Sequence, residues 1–285
     1  MTEGRTGAVP ARIGRYPVEG RIAAGTFARI FRARDEALGR LVAIKLYSLT
    51  DAAVAQICLD RAAWRRHFIV EARIMARIDH PHVVPVWDMG VHDGEPYMVM
   101  PFMVANLRRE IGRDRDSADL APQERPRPVP VARAVRILAD LAAALTAIHA
   151  GGLVHRDVKP GNLLLTRPEG GTVKLGDFGM VRVPNLAEAE GVWFGSPDYM
   201  SPEQGRDARA ATDRSDMYSA GKVGWRLLTG RLLQDGSPPA DGVPAPLAAL
   251  LNECLAPDPA RRPSAVTFRE RLLAAGQSIA PPPNP

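Results

Sequence analysis

The hydrophobic pattern of this chain changes period once, near Pro101, and that change limits the fold more than any single motif. From Tyr16 to Met100 apolar residues come in short runs, Ala28 to Ala33, Leu41 to Leu46 and Tyr97 to Met100, which predict strands. One helical stretch interrupts them over roughly Arg61 to Ile78, where Phe68, Ala72, Met75 and Ile78 recur at helical spacing before Pro81. After Pro101 the spacing is helical over about 131–150, 213–229, 245–255 and 264–274. The pattern predicts an α+β chain: a small β-rich lobe with one helix, then a larger α-helical lobe, joined near Pro101 to Val104.

This reading sets a folded domain at 13–275, with a first lobe at 13–101 and a second at 102–275. Residues 1–12 read as a flexible lead-in, and 276–285, with Pro281, Pro282, Pro283 and Pro285, as a tail that does not pack. Residues 112–130, dense in charge and proline, read as an exposed connection between two helices, a tolerated surface insertion.

Composition excludes several classes. At 285 residues and 46% apolar the chain buries a sizeable core. Cys58 and Cys254 stand far apart and outside any metal-ligand spacing, which predicts two reduced thiols and no disulfide framework. The most apolar long stretch, Ile137 to Val154, is broken by Asp140, His149 and two glycines, and Met1 to Pro10 has no signal-peptide core. No membrane span is expected, and the chain reads as cytoplasmic. The net charge of +5 is spread along the sequence, and the densest cluster, Arg61, Arg65 and Arg66, reads as a solvated helix face. No nucleic-acid partner follows from it. Only Lys45, Lys159, Lys174 and Lys222 are lysine among 37 basic residues, so a lysine inside a motif is informative.

Four segments carry chemistry. Ile22 to Ile30, with Gly25 near its centre, lies between strand-like runs and suits a loop whose amides cover phosphates. Val42-Ala-Ile-Lys45 ends an apolar strand on a point charge suited to phosphate oxygens. His155-Arg-Asp-Val-Lys-Pro-Gly-Asn162 combines a carboxylate, a lysine and an amide, and Asp177-Phe-Gly179 follows a further strand-like run, Val173 to Leu175. Phosphoryl transfer needs metal ligands, positive charge on the phosphates and a carboxylate that orients the nucleophile. Asn162 and Asp177 are hard oxygen ligands for Mg²⁺, Lys45 and Lys159 neutralise phosphates, and Asp157 accepts the proton of the attacking hydroxyl.

Together with Ser201-Pro-Glu203, these segments in this order resemble the protein-kinase signature set over nearly the whole folded chain. The run Gly195 to Gln204 is most similar to bacterial Hanks-type serine/threonine kinases. The resemblance implies a bilobal kinase fold, ATP and Mg²⁺, and protein substrates with serine or threonine acceptors. It implies that Glu71 pairs with Lys45, that Met75, Val86, His155 and Phe178 stack as an apolar spine, and that Met100 is the gatekeeper. Pro101 and Met103 would bond adenine through their backbone, with Ala43 and Leu164 packing on its faces. Asp216 would brace the catalytic loop, and Glu203 would pair with Arg262. The oligomeric state stays open between monomer and homodimer.

The sequence also departs from the family pattern. Ala23 and Ala28 replace the outer glycines of the phosphate loop, and alanine resists positive φ, which implies a weaker hold on nucleotide. No serine, threonine or tyrosine lies between Asp177 and Ser196, and two readings of Glu188 and Glu190 stay open: one of them partly replaces phosphate as the partner of Arg156, or both are merely solvated. Ser196 occupies the place of the family's threonine. Thr229 to Pro246 has no helical pattern where the family places a substrate-docking helix. A pseudokinase scaffold is the rival reading; the intact polar positions favour catalysis.

Overall fold

The computed structural model describes residues 9–25, 27–49, 61–179, 181, 196–233 and 242–279. Glu188, Glu190 and Cys58 lie outside the described residues. The chain divides into two compact units. One holds the residues up to Asp79 with Val84–Met103, the other His80–Val83 and the residues from Val104 on.

The first unit is an antiparallel sheet in the order β1-β2-β3-β4-β6-β5. Its strands are β1 (Arg12–Ile13), β2 (Tyr16–Ala24), β3 (Ala28–Asp35), β4 (Arg40–Tyr47), β5 (Asp88–His92) and β6 (Glu95–Pro101). Because successive side chains alternate faces, Phe31, Ala33, Val42, Ile44, Leu46, Tyr97 and Val99 form one core with Ile13 and Tyr16. The opposite face receives Ile30, Ala43, Lys45, Met98 and Met100, which the register places beside one another. Helix α1 (Arg61–Met75) buries Trp64, Phe68, Glu71, Ala72 and Met75. These recur three or four residues apart, one helical face, and a carboxylate on that face needs a partner.

The second unit is built on helices. They are α2 (Arg108–Ile111), α3 (Val131–Ala150), α4 (Pro202–Arg206), α5 (Asp213–Thr229), α6 (Ala245–Cys254) and α7 (Ala265–Ile279). Along α3, Ala134, Ile137, Leu138, Leu141, Ala142, Leu145 and Ile148 are buried at helical spacing. Helix α5 starts on a capping box between Thr212 and Ser215 and ends on Gly230 in the left-handed conformation. A Cβ at Gly224 would meet Leu251 and Leu138, so glycine lets α5 approach both neighbouring helices. A small sheet, β7 (Ala105–Asn106), β8 (Leu163–Leu165) and β9 (Val173–Leu175), completes the unit.

Two expectations about the ends shift. Arg12 and Ile13 already pair with Pro17 and Tyr16, so order begins inside the expected lead-in. Helix α7 continues to Ile279. No proline interrupts before Pro281, and Ala274 and Ala275 favour continuation past the expected stop at 274.

Candidate active site

In the first unit, β4 brings Lys45 onto the sheet face opposite the core, and α1 turns Glu71 inward. Their side chains meet at 2.7 Å, 11% and 3% exposed. Burial makes the pair obligatory, since either charge alone there would be costly. The hairpin from Ile22 to Ile30 closes through the Gly25 amide, which donates to the Ala28 carbonyl at 2.9 Å. Neither Ala23, Gly25 nor Ala28 has positive φ. The conformational penalty expected from the two alanines is therefore absent, because this hairpin does not ask for left-handed backbone there.

In the second unit, a hairpin brings the amide and the second aspartate together. Leu163 pairs with Leu175 in the β8–β9 ladder, so Asn162, just before β8, faces Gly176, just after β9. The Gly176 amide donates to the Asn162 carbonyl at 2.9 Å. Asp177 comes next, exposed, with φ of 59°. Phe178 is fully buried and meets His155 edge-on at 5.0 Å between ring centroids.

Asp157 is held closely. Its Oδ2 accepts from Asn162 Nδ2 at 2.9 Å and pairs with Lys159 Nζ at 2.7 Å. Asn162 Nδ2 also donates to the Asp157 carbonyl at 2.8 Å. With that nitrogen committed, the oxygen of the Asn162 amide is left to face a metal ion, and with the Asp177 carboxylate it offers hard oxygen donors of the kind that Mg²⁺ takes. Asp157 Oδ1 is buried and has no hydrogen-bond partner among the described residues.

The loop is strained and over-determined. Arg156 has φ of 66°, which costs a non-glycine residue on the order of 1–3 kcal/mol and persists only where neighbours impose it. They do. The amides of His155 and Arg156 both donate to Asp216 at 2.8 Å, and Gln204 Nε2 donates to the Arg156 carbonyl at 2.8 Å. His149 Nε2 also lies 2.8 Å from the Asp216 carboxylate. Below this loop, Arg262 donates to both oxygens of Glu203, at 2.6 and 2.9 Å, and Ser215 donates to the same carboxylate at 2.6 Å. Burial alone would raise the Glu203 carboxyl, but the bonds from Arg262 and Ser215 outweigh it and hold it down at about 2.

The description of the protein kinase domain matches residues 16–272, almost the whole described chain. The chain belongs to the protein kinase family. Among curated relatives, the serine/threonine-protein kinase PknL of Mycobacterium tuberculosis is 38% identical over 218 residues, covering 76% of this chain and 49% of PknL. The kinase pkn2 of Myxococcus xanthus is 32% identical, covering 93% of this chain and 33% of pkn2. The chain thus spans half or less of the length of these relatives. Among solved structures, the kinase domain of Mycobacterium tuberculosis PknI, as a double mutant, aligns with a TM-score of 0.69 at 26% identity, covering 94% of this chain and 99% of that one. The expected bacterial Hanks-type assignment and the α+β kinase fold therefore hold.

Within this kinase, Asp157, Lys159 and Asn162 share one hydrogen-bonded cluster, and Lys45 with Glu71 forms another in the first unit. Ile30, Ala43 and Met100 lie on the Lys45 face of the sheet, and Pro101 ends β6 opposite Val42. Ile22, 49% exposed, sits at a register shift of β2. Met103 is half-buried beyond that strand. In the second unit Leu164 is half-buried while Leu163 and Leu165 are fully buried, since alternation points it away from the core. Sequence reasoning missed His149 and Gln204: neither stands in a polar motif of its own, and their roles depend on where α3 and α4 end in space. The connection at 112–130 is largely exposed, as expected, with Gly112 its one buried residue. This connection is bonded into the unit through Arg226, whose buried guanidinium donates to the carbonyls of Ile111 and Arg113 at 2.8 and 2.7 Å. Among the described residues no helix is long and apolar enough to cross a membrane.

Proposed function

We propose that the chain transfers the γ-phosphate of ATP to serine or threonine hydroxyls of protein substrates, acting in the cytoplasm. The observation that carries the reading is the state of Asp157. One carboxylate oxygen is fixed by Lys159 and Asn162, and the other is buried with no partner among the described residues. An acceptor hydroxyl hydrogen-bonded to this carboxylate would be oriented and relieved of its proton by a group that cannot swing away.

Lys159 then lies beside both the acceptor and the phosphate being moved, a position suited to its point charge. Lys45, fixed by Glu71, holds the phosphates of the nucleotide. Ile22, Gly25 and Ile30 cover it, and Ala43, Met100, Pro101, Met103 and Leu164 bind the adenine end. Asn162 and Asp177 would hold Mg²⁺. When bound there, the ion supplies neutralisation of phosphoryl oxygens. Lys159 and Ser196 support serine or threonine over tyrosine as acceptor, as do the names of the relatives. The kinase unit would span 13–275.

Incubation with [γ-³²P]ATP, Mg²⁺ and a basic protein, followed by acid hydrolysis, tests this. Label on phosphoserine or phosphothreonine, abolished by chelation of the metal, is the expected result. Label on phosphotyrosine alone, or none, would overturn it.

A further inference from the structure

Residues 108–127 carry more order than a surface insertion needs. A Cβ at Gly112 would strike the carbonyls of Arg125 and Glu124, and Gly112 has φ of +76°, so the connection is folded tightly on itself. The Arg113 amide donates to the Glu124 carbonyl at 2.7 Å, and the Arg127 amide to the Ile111 carbonyl at 2.9 Å. Arg226, from α5, fastens the inner side through the Ile111 and Arg113 carbonyls, with Asp114 at 3.7 Å from its Nε.

The outer side reaches another part of the unit. Asp114 Oδ2 accepts from Arg108 at 2.8 Å, and its Oδ1 accepts from the Tyr199 hydroxyl at 2.6 Å. Arg115 donates to Asp198 at 2.7 Å. Tyr199 and Asp198 belong to the short turn Ser196–Met200, whose far side is held by Ser219 donating to the Tyr199 carbonyl at 2.8 Å. Tyr199 is 3% exposed, and burial, then the Asp114 charge, raise its hydroxyl well above the usual tyrosine range, so it stays a donor at all working pH values. The same stretch runs into α4, where Gln204 donates to the carbonyl of Arg156, the residue before Asp157. The loop that carries Asp157 is therefore bonded to a stretch whose first turn is clamped between α5 and the 108–127 connection.

We propose that Asp114 is a positioning residue for the protein acceptor, fixing the Ser196–Met200 segment through Tyr199, with Arg115–Asp198 as a weaker outer tie. The inference rests on the kinase reading above and assigns this kinase's inserted connection to the acceptor side of the reaction rather than the nucleotide side. The Asp114–Tyr199 bond, made to a charged acceptor and shielded from water, is the strong link. The Arg115 side chain is 68% exposed, so its pair with Asp198 contributes little and weakens with salt.

The test uses the full chain carrying Tyr199→Phe, Asp114→Asn or Arg115→Ala, with a serine-bearing basic peptide as acceptor. Tyr199→Phe keeps the ring and leaves Arg226 and Arg108 their partner, so it folds even where Asp114→Asn does not. KM for the peptide should rise about tenfold in Tyr199→Phe, as expected for a lost bond to a charged group, with KM for ATP unchanged. Arg115→Ala should raise it about twofold, and only at low salt. Amide exchange at 196–200 should quicken in Tyr199→Phe. A peptide KM equal to wild type, or equal rises in both KM values with a lowered melting temperature, overturns the inference. A wild type that labels no acceptor at all overturns the kinase reading instead, and this inference with it.

Discussion

Replacing Arg262 by methionine should destabilise the second unit in a pH-dependent way. The Arg262 guanidinium has no exposed side-chain surface and meets both oxygens of Glu203 at 2.6 and 2.9 Å. Methionine keeps the volume and removes the charge, leaving a carboxylate that is 8% exposed with Ser215 as its remaining side-chain partner from α5. Glu203 is lowered from 4.5 to about 2, and at 1.36 kcal/mol per unit that shift corresponds to about 3 kcal/mol. Arg262 shares that shift with Ser215 and Ser201, and breaking one partner of a buried pair costs about 3–5 kcal/mol. A lowered carboxyl pKa contributes stability that is fully present above 4.5 and disappears as pH falls towards 2. Thermal unfolding followed by circular dichroism should therefore show the variant melting roughly 6–12 °C below wild type at neutral pH. The gap should shrink steadily below pH 4.5, the ordinary value of the group. A gap of 1–2 °C, or one that keeps its size down to pH 3, would refute the reasoning.

Two other changes probe separate parts of the account. Gly112→Ala should cost roughly 1–3 kcal/mol in urea unfolding, because the residue sits at φ of +76° and its new methyl meets the Arg125 carbonyl; an unchanged midpoint would mean that the connection is not packed as described. Lys45→Met removes the charge held 2.7 Å from Glu71 and should lower phosphate transfer about 10²–10³-fold in steady-state assays, the scale of one lost electrostatic contact to the transition state.

Much of this was legible in the sequence because local periodicity and local chemistry agreed. The helices at 131–150 and 213–229 were readable from their apolar spacing, and α3 and α5 have these bounds. The pairing of Lys45 with Glu71 needed the family resemblance, since nothing in the spacing of 26 residues implies contact. The hairpin that sets Asn162 beside Gly176 was implicit in two short apolar runs, yet its register depends on which faces are buried. The connection at 112–130 was legible as exposed, but its anchors were not. Its charges suggested solvent, but Asp114 is tied to Tyr199, a partner 85 positions away, and the carbonyls of Ile111 and Arg113 to Arg226, more than 110 positions away. Composition cannot distinguish a solvated arginine from one that donates to buried carbonyls, since only the tertiary fold decides which carbonyls are left unpaired. The phosphate hairpin shows the converse, where two alanines that break the family pattern stand in backbone that any residue adopts.

The central claim is that Asp157 orients and deprotonates the acceptor hydroxyl, and single-turnover transfer from [γ-³²P]ATP in wild type and Asp157→Ala tests it most directly. With both proteins saturated in nucleotide and acceptor, the account predicts that the variant binds ATP like wild type while its transfer step falls by about 10²–10⁴-fold, the range of a lost general base. Equal transfer rates in the two proteins would contradict it.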